Sequence, residues 1–200
     1  MPSELRVAPR QKRGRQRVDA ILDAAAALLD ERDLAAVSTT DVARRAGTSV
    51  GGLYRYFPEI DSLLRALAAR NRQRYWSAAL ASAADATGRA FLEHLMAAYV
   101  RFARSEPGFR QLHFGHVLED RRGEHSASAS VTDDMIAALA ERGGLVVTPE
   151  LRLDVDIAVT MSAALMQRAF ELDPEGDQRI IDRTIAMVSR LFAPHLQPSR

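Results

Sequence analysis

Cysteine is absent from this 200-residue chain. That excludes disulfides, thiolate metal sites and a cysteine nucleophile, and it suits a reducing compartment. Aromatic residues are scarce at 6%, with one tryptophan, Trp76, so any core has to be mainly aliphatic. No apolar run approaches the roughly 20 residues that cross a bilayer, and the charged N-terminus has no apolar stretch behind it of the signal-peptide kind. A cytoplasmic protein with no membrane partner is therefore expected. Strand alternation is lacking, apart from an ambiguous Leu145-Val146-Val147. Catalytic signatures are lacking too. There is no Gly-rich phosphate loop and no G-x-S-x-G elbow, and Glu93-His94 is without the second His of a zincin motif. His113 and His116 stand three apart with only Glu119 near them, too few donors for a zinc site. No metal, no cofactor and no enzymatic activity are expected.

What the chain does have is a globular balance, 47% hydrophobic and 26% charged, enough to bury a full core. The net charge of +1 conceals an asymmetry. Residues 1–17 carry six basic side chains (Arg6, Arg10, Lys12, Arg13, Arg15, Arg17) against Glu4 alone. The remaining residues therefore hold an acidic excess. A basic arm on a neutral-to-acidic body suits a protein that grips nucleic acid at one end, although a basic tail can also be simply solvated.

Apolar spacing of 3 and 4 residues runs through almost the whole chain. Residues 1–15, with Pro2, Pro9 and Gly14, are expected to be a disordered arm. A first helix is expected from about Arg17 to Arg32, striped by Val18, Ile21, Leu22, Ala25, Leu28 and Leu29. Its end falls near Asp33, a residue able to take the left-handed conformation. Ser38-Thr39-Thr40-Asp41 has the form of a capping box. A short Ala-rich helix (41–46) follows, then Gly47 to stop it and Thr48 or Ser49 to cap the next helix, which carries Leu53, Tyr54, Arg55, Tyr56 and Phe57. A long helix spans about 59–84. Beyond Gly88, helices are expected at 91–105, 109–117, 126–142, 149–172 and 177–192, with 119–125 a charged loop.

Two short helices joined by a glycine turn, the second ending in Tyr-Arg-Tyr, form a pattern able to reach phosphates and base edges. The residues Ser38, Asp41, Val42, Ala43, Ala46, Gly47, Ser49, Gly51, Leu53, Tyr54, Tyr56 and Phe57 fall at fixed spacings. On them the stretch resembles the helix-turn-helix of the TetR family of transcriptional repressors. The resemblance is specific over about residues 17–67; the remainder agrees with the family in helical pattern and length alone.

That resemblance implies an all-α protein of about nine helices. Residues 16–62 would be a three-helix DNA-binding domain and 63–200 a helical ligand-binding and dimerisation domain, the long fourth helix linking the two as a lever. In the reader, Ser49, Val50, Gly52 and Arg55 are placed toward base edges, and Tyr54 and Tyr56 toward the DNA backbone. Thr39 and Thr40 suit a phosphate oxygen, and Thr48 sits in the turn. Leu53 and Phe57 are anchors. Two departures stand out. Gly52 has no side chain to read a base, and Ile60 replaces a lysine common in the family.

For the second domain, Trp76, Met96, Tyr99, Phe102, His113, Phe114, Met135, Met161 and Met166 are candidates to line a pocket for an apolar or aromatic effector. Each serves equally well as core packing. Ile157, Met161 and Leu165 on one helix and Ile181, Ile185, Val188 and Phe192 on the next form stripes for a homodimer interface, or for the monomer's own core. The function implied is a ligand-responsive repressor that binds a near-palindromic double-stranded DNA operator as a homodimer. The alternatives are a DNA-binding regulator without an effector, an activator, or a helical carrier or enzyme with a vestigial reader.

Overall fold

The computed structural model describes residues 12–112 and 126–196, leaving out the side chains of 12 and 126–130. Among the described residues all regular structure is helical: α1 (Lys12–Glu31), α2 (Thr39–Arg45), α3 (Val50–Tyr54), α4 (Ile60–Ser82), α5 (Gly88–Ser105), α6 (Phe109–Leu112), α7 (Ser126–Glu141), α8 (Pro149–Leu172) and α9 (Gln178–Phe192). Single 3-10 turns occupy Leu34–Ala36 and Ala193–Leu196. Leu145-Val146-Val147 forms no strand. The helix α1 starts at Lys12, so residues 12–15, expected to be disordered, are helical. The rest of the arm, His113, Phe114, His116 and the 119–125 loop lie outside the described residues.

The described chain divides into two compact units, and the division differs from the sequence-based boundary at 62/63. Residues 12–73 and 106–112 form the first unit; 74–105 and 126–196 form the second. The boundary thus falls inside α4, and a short segment far along the sequence returns to the first unit.

In the first unit, the α1 stripe is buried throughout: Val18, Ile21, Leu22, Ala25, Leu28 and Leu29 join Val42, Leu53, Phe57, Leu63, Leu64 and Leu67 in one core. Leu112 of α6 completes it. Asp33 is extended (φ −60°, ψ 146°), not left-handed. The reason lies in α6. The Gln111 amide Nε2 donates to Leu29 O (2.9 Å) and Arg32 O (2.8 Å), and its Oε1 accepts from the Leu34 N–H (2.8 Å). A distant side chain thus satisfies carbonyls that a left-handed residue would otherwise have closed off.

In the second unit, α5 buries Phe91, Leu92, Leu95, Met96 and Tyr99. The helix α8 packs mainly on α7 and α9, and α9 buries Ile181, Thr184, Val188 and Phe192. Side-chain caps start both long C-terminal helices. Thr148 Oγ1 accepts from the Leu151 N–H (3.1 Å) ahead of Pro149. The Asp177 carboxylate accepts from the Arg179 N–H (2.9 Å) and guanidinium (2.6 Å). The Arg179 side chain, with help from backbone N–H groups, pulls the Asp177 pKa from 3.8 down to about 2. At the far end of α9, His195 Nε2 lies 2.7 Å from Asp154 Oδ2.

Two outcomes follow for stability. Phe192 is wholly buried, so Phe192→Ala should cost about 3–5 kcal/mol in urea unfolding through transfer and cavity terms. Because the folded pKa of Asp177 is depressed, its stabilisation is fully present above pH 3.8 and is lost as pH falls toward about 2. The stability gap between wild type and Asp177→Asn should therefore close over that window in acid titrations followed by circular dichroism.

Candidate nucleic-acid interface

Two caps and one turn define the α2–α3 pair. Ser38 Oγ accepts from the Asp41 N–H (3.2 Å), while its own hydroxyl donates to Asp41 Oδ2 (2.6 Å). The aspartate therefore closes the box on the Ser38 hydroxyl. A longer Glu at this position would reach back to the backbone N–H instead. That hydroxyl, then the guanidiniums of Arg32 and Arg44, hold the Asp41 carboxyl below its ordinary 3.8. At the other end of α2, Gly47 takes φ +63°. The Gly47 N–H donates to Arg44 O (3.3 Å) and the Thr48 N–H to Ala43 O (3.0 Å). These are the two bonds of a Schellman stop, which needs a left-handed residue at its centre. Ser49, the second of the two expected candidates, then caps α3 by accepting from the Gly52 N–H (3.0 Å).

The reader helix is held from beneath by Leu53 and Phe57, both fully buried as expected. On the outside are Tyr54, Ser49, Thr40 and Arg55, all exposed. The Arg55 guanidinium sits 5.9 Å from the Tyr56 ring centroid, within cation–π range. Thr39 Oγ1 and Tyr54 OH share a 3.3 Å hydrogen bond, tying the start of α2 to the end of α3. Thr48 is half-buried, with its Oγ1 only 2.7 Å from where a Cβ on Gly52 would lie. Val50 and Tyr56 are half-buried against the head's core, and so is Ile60. Val50 is thus shared between support and surface, and it has less to offer a base than its place in the sequence suggested. Gly51 is exposed, and nothing lies within 4 Å of an added Cβ there. Two cations lie near the reader: Arg44, which was not assigned from sequence, and Arg17, which was counted there in the basic arm. Arg44 on α2 is well exposed and pairs with Asp41 (3.1 Å). Arg17 donates to Gly47 O across the turn (3.4 Å).

In the second unit, rings gather around Tyr75. Its centroid lies 5.1 Å from that of Trp76, 6.2 Å from Tyr99 and 6.0 Å from Phe102. Tyr75 OH donates to Leu95 O (3.1 Å), and burial pushes the phenol pKa of Tyr75 and of Tyr99 well up. The Trp76 indole N–H is buried with no hydrogen-bond partner among the described residues. Of the other pocket candidates, Met96 and Met166 are buried, and Met135 and Met161 half-buried. His113 and Phe114 lie outside the described residues.

The interface candidates separate into two groups. Ile181, Val188 and Phe192 are buried in the unit's own core, because their side of α9 packs on α8 and α5; they leave no surface for a partner. Met161, Leu165 and Ile185 are half-buried, and Ile157 is 43% exposed. Ile185 borders a shallow surface groove of about 390 Å³ with Arg89, Glu93, Asp182 and Arg190. Further uncovered apolar side chains are Leu153 (61%), Leu172 (52%) and Met187 (46%). The four-residue step from Leu153 to Ile157 to Met161 was the available signal for the first of these.

Known proteins are similar to both parts. A family model described as bacterial regulatory proteins, tetR family, matches residues 21–67. A second, described as the tetracyclin repressor-like C-terminal domain, matches residues 86–196. A crystal structure of a TetR-family transcriptional regulator from Streptomyces coelicolor is 32% identical, with a TM-score of 0.73 over 90% of this chain and 99% of that one. LfrR from Mycobacterium smegmatis, solved in complex with proflavine, shares the fold at 22% identity and a TM-score of 0.58, covering 88% of this chain and 96% of that one. The nucleoid occlusion factor SlmA of Haemophilus ducreyi is 31% identical over 110 residues, which is 54% of each chain. The chain thus spans about half the length of the curated relatives it matches.

The capping geometry sets an expectation for stability. Ser38→Ala removes the α2 cap and should cost about 1 kcal/mol in denaturant unfolding at neutral pH. Asp41, with its depressed pKa, stabilises above 3.8 and ceases to as pH falls below that value. The Ser38→Ala deficit should therefore narrow in acid.

Proposed function

Because the chain belongs to the TetR family of bacterial regulatory proteins, DNA-binding regulators of transcription, we propose that it is a ligand-responsive repressor acting in the cytoplasm. A homodimer binds a near-palindromic operator, and a small apolar or aromatic effector releases it. The observation that carries the reading is α3 itself, whose outer side presents Ser49, Tyr54 and Arg55 around the side-chain-free Gly51 and Gly52. Nothing among the described residues requires glycine at 51. An exposed helix glycine costs about 1 kcal/mol relative to alanine, so the reason for it is sought in a partner that approaches the backbone closely, as DNA does in a major groove.

The uncovered apolar residues Leu153, Ile157, Leu172 and Met187 support a dimer through α8 and α9. One reader helix spans too few base pairs for selectivity in a genome, which also favours a two-fold assembly. An aromatic effector carrying a hydrogen-bond acceptor is supported by the ring cluster around Tyr75 and by the Trp76 indole N–H, which has no partner among the described residues. Release requires the effector to bind better to a conformation unfit for DNA, since equal affinity shifts nothing. The reader's caps and buried anchors are all in place, which weighs against a vestigial head. A DNA-binding regulator without a small-molecule effector is the second reading, since the capped and anchored reader needs no effector to be ordered.

The test is a titration against operator DNA selected from a random library, at two salt concentrations. Wild type should bind selectively and lose affinity with salt. Arg55→Ala should weaken binding by about 10- to 100-fold and relax selectivity, as expected for loss of a base contact worth about 1–3 kcal/mol. Gly51→Ala should do the opposite to the two properties: raise thermal stability by up to about 1 kcal/mol and weaken operator binding. Binding of wild type to random DNA as tightly as to any selected sequence would overturn the repressor reading. Ile157→Asp should shift the mass in solution from two copies toward one; an unchanged mass would remove Ile157 from the interface.

A further inference from the structure

The segment 106–112 lies within the sequence range of the C-terminal family domain, yet it packs as part of the first unit. Its attachment is dense for so short a stretch. Gly108 takes φ +70°, and its N–H donates to Asp30 Oδ1 (2.9 Å). A Cβ there would lie 3.0 Å from Ala26 Cα and 3.3 Å from Ala26 O, so α1 backbone fills the space. The buried Asn71 of α4 donates to Pro107 O (3.5 Å). Leu112 is fully buried in the core. Gln111 makes the three bonds described above, to the last carbonyls of α1 and the first N–H of the following turn.

These bonds fall where the path of the chain toward the reader is decided. Leu34–Ala36 leads through Val37 to Ser38, the cap of α2. The orientation of α2, and of α3 beyond it, thus follows from how α1 ends, and Gln111 determines that end.

We propose that Gln111 is a positioning residue for DNA recognition, which orients the reader by fixing how α1 ends. The proposal rests on the DNA-binding reading above. It differs from a lever made of α4 alone, because it acts on the exit of α1 through side-chain hydrogen bonds.

The first variant is Gln111→Met, which keeps length and packing and removes all three bonds. At a temperature where circular dichroism shows it fully folded, its affinity for the selected operator should fall at least tenfold with the salt slope retained. Amide exchange at Val37 and Asp41 should quicken by a similar factor. A merely structural glutamine would lower the melting temperature and leave the affinity of the folded protein within twofold of wild type, and that result overturns the proposal. Unchanged exchange at Val37 and Asp41 overturns it too, whether or not wild type selects a DNA sequence. Failure of wild type to select DNA counts separately, against the functional reading. Gln111→Glu, which keeps the acceptor for the Leu34 N–H and loses both donated bonds, decides the matter if Gln111→Met does not fold. A fall in operator affinity of threefold or more supports the proposal; affinity equal to wild type overturns it.

Discussion

The reader helix α3 is five residues long, against the roughly 12–15 that an isolated helix needs to persist in water. Its order is therefore borrowed, and the burial of Leu53 and Phe57 is the loan on which the DNA-binding head depends. Those two side chains enter a core made by α1, α2 and α4, so the reading surface is only as rigid as that core is dense. Aromatic scarcity makes this more demanding. Most of the density comes from interlocking Leu, Ile, Val and Ala, which have to fit closely to exclude voids. The caps at Ser38 and Ser49 and the left-handed Gly47 add direction to what burial provides, since they fix where each short helix begins and ends.

Much of this was legible from sequence because the signals are local. Gly47 followed by Thr48 and Ser49, Pro149 after Thr148, and the α1 stripe each report their structure within four residues of themselves. Element ends came within a few residues of those observed. What could not be read was long-range. Asp33 invited a left-handed stop by its chemistry, but the partner that removes the need for one, Gln111, stands 78 positions away. The stripe on α9 had the right period, yet periodicity says only that one side is apolar. It does not say whether α8 or a second molecule covers that side, and most of the residues chosen from it turned out to be covered internally. The ring cluster was hidden for the same reason: Tyr99 and Phe102 come from α5, and spacing along α4 gives no hint that they meet Tyr75.

The two units use polarity differently. In the first, polar side chains reach the ends of helices and settle their carbonyls and N–H groups, as Gln111, Ser38 and Ser49 do. In the second, the notable polar groups are an indole N–H left buried without a partner and phenols driven to remain neutral by burial. Buried polar atoms without a partner among the described residues occur in the first unit too, at Arg70 Nε and Asn71 Oδ1. An indole N–H in that state gains from an incoming acceptor, which suits the sensing proposed for the second unit.

Gly52 extends this into the history of the molecule. The room that a side chain would need there is taken by the hydroxyls of Thr48 and Ser49, at 2.7 and 3.1 Å from the missing Cβ. The Thr48 hydroxyl can turn away, but the Ser49 hydroxyl cannot without giving up the cap on α3. On the proposed DNA-binding reading, a lineage altering its target sequence through position 52 therefore meets epistasis: the new side chain is tolerated only after, or together with, a change at 49. Drift in target preference would then be channelled through Arg55 and Tyr54, whose side chains are exposed, and residues 49 and 52 would change as a pair.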